Sequence, residues 1–105
     1  MTDAIVVTIS CAHAGEAESI TAALLDERLA ACVQRIPGVL SSFIWKDELQ
    51  EEREELLIVK TRQSLFRELC ERVSVIHSYE VPEIIAMPVS DGNPPYLEWL
   101  KSNTR

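Results

Sequence analysis

Apolar and polar residues alternate from the start of the chain: Ile5, Val7, Ile9 and Cys11 fall on one side, Val6, Thr8 and Ser10 on the other. That period of two predicts a half-buried strand with Cys11 on its apolar face, at the strand's end. Residues 12–16 are a short connection broken by Gly15. Residues 16–32 are rich in Ala, Leu, Glu and Arg, with no interior Gly or Pro. Ile20, Ala23, Leu24 and Ala31, with Leu25 and Leu29 beside them, form a broad apolar stripe that predicts one amphipathic helix. Residues 33–45 are apolar and β-branched but interrupted at Pro37-Gly38, the signature of an edge strand or a bulge.

The acidic tract 47–55 reads naively as helix, but its flanks argue for the solvated tip of a long hairpin with arms 42–47 and 52–61. The second arm carries Leu56-Leu57-Ile58-Val59, an unbroken apolar run that needs cover on both faces. Ser64 is placed to cap a helix with Leu65, Phe66, Leu69, Cys70 and Val73 inward, ending near Ile76. Pro82 forces a corner at 79–82, because it fixes its own φ and pushes Val81 toward extended geometry. A last strand, 83–89, a turn over 90–95 and a short helix, 96–103, complete the chain. Strand, helix, strand, strand, helix, strand is the split β-α-β repeat, which predicts an α+β ferredoxin-like sandwich with an antiparallel sheet. Helices cover one face of such a sheet, so the doubly apolar strand predicts a partner subunit on the other.

Composition narrows the possibilities without choosing among them. The 105 residues make one domain; 47% are apolar and 26% charged, the proportions of an ordinary globular protein. No apolar run approaches the roughly 20 residues that span a bilayer, so no membrane partner is expected. The N-terminus lacks a basic region and enters a strand directly, which makes the cytoplasm the expected compartment. A net charge of −7 with scattered basic residues argues against nucleic acid.

The soft metal ligands are Cys11, Cys32, Cys70, His13 and His77, in no local metal-binding spacing. In the predicted sheet the first and fourth strands are neighbours, which lets Cys11 approach His77; a thiolate and an imidazole suit copper or zinc. Against this stands core packing, the ordinary role of a cysteine on an apolar strand face or helix stripe, as for Cys11, Cys32 and Cys70. His77 reads as a ligand or as the cap of its helix, and His13 as an exposed loop residue. Glu80 and Glu83 flank Pro82 and offer carboxylates to a cation, or to Lys60 as a structural pair. Trp45 and Trp99 line or fill a contact between subunits. No enzyme signature is present: there is no nucleophile elbow and no phosphate-cradling glycine loop, and a Cys11 nucleophile with His77 as base has no motif behind it.

The run His77-Ser78-Tyr79-Glu80-Val81-Pro82-Glu83-Ile84-Ile85-Ala86-Met87-Pro88-Val89 resembles the signature of the CutA divalent-cation tolerance family. Tyr96-Leu97-Glu98-Trp99-Leu100 is similar to that family's closing segment. Leu29-Ala30-Ala31-Cys32-Val33 leading to Ile36-Pro37-Gly38, and Trp45 with the acidic stretch into Leu57-Ile58-Val59-Lys60-Thr61, agree in order. The resemblance implies a tightly packed homotrimer with long hairpins reaching across to neighbours. It also implies copper bound by a first-strand cysteine, here Cys11, and by histidine before the Tyr and Pro of the signature, here His77. Ile76 stands where some members have a second histidine, and Ser78 where many have proline. The expected function is therefore a non-enzymatic, copper-related tolerance trimer holding copper, zinc or another divalent ion through Cys11 and His77, with Glu80 nearby. The alternative is a trimer like the PII regulators, with a small ligand or an unidentified protein partner at its inter-subunit clefts.

Overall fold

Alternation along the first strand divides the molecule into a filled side and an open side. The computed structural model describes residues 2–105. Its elements are β1 (Ala4–Cys11), α1 (Ala14–Asp26), β2 (Cys32–Trp45), β3 (Glu48–Arg62), a 3-10 turn (Gln63–Leu65), α2 (Phe66–Ile76), β4 (Ile84–Pro88) and α3 (Pro94–Ser102). The strands form one antiparallel sheet in the order β2-β3-β1-β4, the ferredoxin-like α+β sandwich. Ile5, Val7, Ile9 and Cys11 of β1 and Leu57 and Val59 of β3 pack with Ala17, Ile20, Leu24, Leu69 and Val73 of the helices. The intervening residues Val6, Leu56 and Ile58 are only half-buried, and Ile85 and Met87 of β4 are exposed. The apolar run of β3 is thus covered on its helix side and uncovered on the other within one chain.

Helix α1 stops at Asp26, six residues short of the predicted end. Arg28 takes a left-handed φ of 57° after the cap residue Glu27. The Leu29 N–H then donates to the Leu24 carbonyl at 2.9 Å, and the Arg28 N–H to that of Leu25 at 3.1 Å. These two bonds close a Schellman motif. Its left-handed position is normally glycine, and an arginine there gives no sequence signal. Leu29 and Ala30 turn into the core, and Cys32 begins an edge strand instead of completing a helical stripe.

Two smaller expectations change as well. The Ser64 side chain caps nothing: the 3-10 turn leads into α2, whose N-cap, Leu65, offers no side-chain bond. Lys60 reaches Gln34, not Glu80 or Glu83. The hairpin is more regular than predicted, because the acidic tract is strand up to a two-residue turn at Lys46 and Asp47, with φ of 51° and 65°. Positive φ at both residues marks a type I′-like connection, which matches the twist of the strands it joins. The interruption at Pro37-Gly38 is a bulge: pairing slips between Ile36 and Val39, and Gly38 supplies a φ of 70°. The hairpin stretches the molecule to 44 × 26 × 23 Å.

Leu57 is fully buried where β3 meets both helices. Leu57→Ala is expected to cost about 2–5 kcal/mol, as core truncations that leave a cavity do; denaturant unfolding followed by circular dichroism measures it.

Candidate metal centre

The first strand ends in a thiol that points into the core, and the structure assembles its surroundings from three further segments. Cys11 is fully buried. Across the sheet it pairs with Glu55 of β3. Immediately after it, His13 caps α1: its Nδ1 accepts the Glu16 N–H at 3.2 Å. Glu16 lies in the first turn of α1, where the helix dipole favours an anion, and it folds back to accept the Ala12 N–H at 2.7 Å. Its other oxygen accepts the Ser78 N–H at 2.6 Å. One carboxylate thereby joins the first β-α connection to the corner after α2.

At that corner the backbone leaves the helix. His77 is the C-cap of α2, with ψ of 141° and its N–H donating to the Val73 carbonyl. The extended backbone turns the imidazole inward until none of it is exposed. Its Nε2 lies 2.7 Å from the Ser10 carbonyl, which can only accept, so Nε2 carries the proton. Its Nδ1 accepts the Tyr79 N–H at 3.1 Å and lies 3.7 Å from Glu16 Oε1. Ligand atoms of Cys11, Glu16 and His77 all lie within 4.8 Å of one another.

Electrostatics sharpen the picture. Burial pushes the Cys11 thiol up to about 12, and the charges of Glu16, Glu55 and Glu54 push the same way. Burial alone would raise Glu16, but the hydrogen bonds from Ala12 and Ser78 leave its carboxyl below the ordinary value of 4.5. The pocket therefore holds its negative charge on carboxylates while the sulfur stays protonated.

Donor identity and charge fit a thiophilic or borderline cation: the set offers sulfur, nitrogen and oxygen within a field that favours positive charge. Each Glu16 oxygen keeps a second lone pair beside its bond. Nδ1 has one lone pair, so engaging it means displacing the Tyr79 N–H. Holding an ion thus takes one hydrogen bond and one thiol proton away from the resting fold.

Cys11 and His77, singled out in the sequence, are brought together; Glu80 is not part of this cluster. Glu80 is exposed and lines an open cleft of about 890 Å³ between the hairpin and the corner, alongside Glu54, Tyr79 and Glu83. Glu83 accepts from the Thr8 hydroxyl at 3.0 Å and from Ser10 at 3.3 Å. Glu16 is the residue that sequence reasoning passed over. Its signal was the spacing His13-x-x-Glu16, that of a capping box with histidine in the place of the usual Ser or Thr, although the carboxylate returns to the Ala12 N–H and not to that of the cap residue. Cys32 and Cys70 are half-buried and stand outside the cluster.

A split β-α-β sandwich with a buried thiol, carboxylate and imidazole under the end of its first strand defines the class of protein. The family model described as CutA1 divalent ion tolerance protein matches residues 5–103. The divalent-cation tolerance protein CutA of Thermus thermophilus is 48% identical over 99 residues, which is 94% of this chain and 96% of that one. A chloroplastic CutA protein of Arabidopsis thaliana is 45% identical over 101 residues, 96% of this chain; those residues span only 56% of the relative's own length. Among solved structures, a divalent cation tolerance protein of Thermus thermophilus superposes with a TM-score of 0.95 at 46% identity, over 97% of this chain and 99% of that one. CutA1 of Oryza sativa gives 0.96 at 43% identity, over 99% of this chain and 95% of that one. The chain belongs to the CutA divalent-cation tolerance family.

The depressed carboxyl of Glu16 sets a pH dependence. Its contribution to stability is present above the ordinary value of 4.5 and is lost as pH falls through the lower folded value. Glu16→Gln is expected to lower stability at neutral pH and to flatten the acid limb between 4.5 and the lower folded value, read from denaturation midpoints across pH.

Proposed function

We propose that this chain works as a non-enzymatic, homotrimeric protein of divalent-cation tolerance in the cytoplasm, and that it holds a copper ion, with zinc as the alternative, through Cys11, Glu16 and His77. The observation that carries the metal reading is the convergence of those three ligand atoms within 4.8 Å in a buried pocket also faced by Glu54 and Glu55. Cys11 would supply a thiolate, His77 its Nδ1 and Glu16 a carboxylate oxygen. Holding the ion is the whole of the activity proposed.

The trimer is supported by apolar surface that a single chain leaves bare. Ile44 and Leu49 at the hairpin tip are 67% and 75% exposed, and Leu40, Ile85 and Met87 are also exposed. Uncovered aliphatic side chains on this scale mark a surface built for contact with another chain. Half-buried Ile58 lies on the same open side of the sheet.

Two measurements test the proposal. Copper(I), copper(II) and zinc are titrated against a competing chelator into reduced protein and into Cys11→Ser and His77→Ala variants. About one ion per chain is expected, with affinity at least about tenfold weaker in each variant. Affinity unchanged in both variants overturns the metal reading. Because the ion displaces a thiol proton that is otherwise held until about pH 12, affinity is expected to rise by up to about tenfold per pH unit near neutrality. Light scattering is expected to give the mass of three chains, and Ile58→Asp, which sets a charge on the open apolar face, to abolish that assembly. A compact monomer at micromolar concentration overturns the trimer.

A further inference from the structure

The residue that covers the imidazole lone pair is itself held from a distant strand. The Tyr79 backbone N–H occupies His77 Nδ1, while the Tyr79 hydroxyl donates to Glu54 Oε2 on β3 at 2.6 Å. The two rings sit 4.9 Å apart and inclined by 48°, so the phenol lies against the imidazole it covers. Glu54 is buried, 6% exposed, beside the β2 bulge. The next residue, Glu55, fixes that bulge: its Oε2 accepts the Gly38 N–H at 3.2 Å, and its Oε1 forms an ion pair with Arg35 at 3.2 Å. The backbone that carries Glu54 is thus pinned at the bulge, and the hydroxyl that reaches its carboxylate makes a short, charge-assisted bond at 2.6 Å.

We propose that Tyr79 is a latch on the candidate metal centre: its hydroxyl bond to Glu54 holds its own N–H over His77 Nδ1, and release of that bond opens the lone pair to an incoming ion. Tyr79 is a positioning residue, acting through His77. This inference rests on the function proposed above for the metal route, but the latch is measurable without any ion. The latch makes a definite prediction about direction. A structural role alone would make its loss weaken ion binding, whereas a latch competes with the ion, so its loss strengthens binding. Apparent affinity scales with the fraction of molecules whose lone pair is uncovered.

The test compares wild type, Tyr79→Phe and Glu54→Gln as full chains. Tyr79→Phe keeps the ring against His77 and removes only the hydroxyl. Backbone hydrogen exchange at residue 79, read by NMR without metal, is expected to accelerate at least about tenfold in both variants, while Val7 and Val59 in the sheet keep their protection. Chelator-competed copper affinity is expected to rise at least about tenfold in Tyr79→Phe. The double variant is expected to add little beyond either single one, because both remove the same bond. Residue 79 exchange within about threefold of wild type in both variants overturns the latch. Accelerated exchange with copper affinity unchanged or weaker also overturns it, since the cover would then not compete with the ion. Accelerated exchange with no copper bound by any of the proteins leaves the latch on His77 standing and overturns the metal function instead.

Discussion

A buried carboxylate must find donors, and in this protein that requirement ties the two halves of the fold together. Glu16 is 7% exposed and finds its donors in the backbone on either side of it, at Ala12 and at Ser78. Ala12 follows the first strand, and Ser78 follows the second helix, 62 residues beyond Glu16. The two β-α units of a split repeat share a sheet, yet nothing in that sheet fixes how the corner after α2 meets the start of α1. The Glu16 bridge does. It brings the imidazole of His77 beneath the end of β1, where the Ser10 carbonyl receives Nε2 and Nδ1 lies 3.7 Å from the Glu16 carboxylate. Losing either backbone donor would leave a buried anion short of a partner, which is far more unfavourable than losing an exposed hydrogen bond.

On the opposite side of the sheet the governing feature is the bulge at Pro37-Gly38. Two residues of β2 there oppose the single Glu55, while β3 itself keeps its register with β1; Glu54 and Glu55, on opposite faces of β3, are both buried beside the bulge. Glu55 holds the bulge and adds to the negative field at Cys11, and Glu54 takes the Tyr79 hydroxyl. Burial and Glu54 together push the Tyr79 phenol upward, so it stays a donor throughout the neutral range. Beyond the bulge the hairpin extends with apolar residues that its own chain leaves uncovered. Glu55 therefore connects the bulge to the pocket.

How much of this the sequence carried depended on whether a feature had a periodic or a steric signature. Alternation identified β1 and the face on which Cys11 lies, Pro37-Gly38 identified the bulge, and Pro82 identified the corner after His77. The end of α1 was not legible, because Arg28 adopts a conformation that favours glycine. Ser64 resembled a cap, but the chain makes a 3-10 turn instead. Proximity to His77 in sequence suggested Glu80 as a third ligand; the corner turns it out toward the cleft, while Glu16, remote from His77 in sequence, comes in through the helix start. The pairing of Tyr79 with Glu54 had no local signal at all, since it depends on strand register across a hairpin.

The single imidazole gives the pocket its chemical character. Ile76, the residue before the imidazole, is half-buried and packs against the core formed by Val73 and its neighbours. That side chain is already occupied in holding the end of α2 to the sheet, so a polar ring there would displace apolar packing. The third donor comes instead from α1, as a carboxylate whose charge is fixed by the helix start and by two backbone N–H groups. A thiol, an imidazole and a carboxylate form a mixed set, softer than the oxygen cages of calcium or magnesium and harder than a purely sulfur site. Selectivity in such a set comes less from the ligand atoms than from what it takes to uncover them. Here the sulfur must lose a proton within a field of three carboxylates, and the imidazole must give up the Tyr79 N–H. Under the proposed function Glu16 both offers a ligand atom and opposes loss of the thiol proton, whereas Tyr79 and Glu54 act on the imidazole without being ligands.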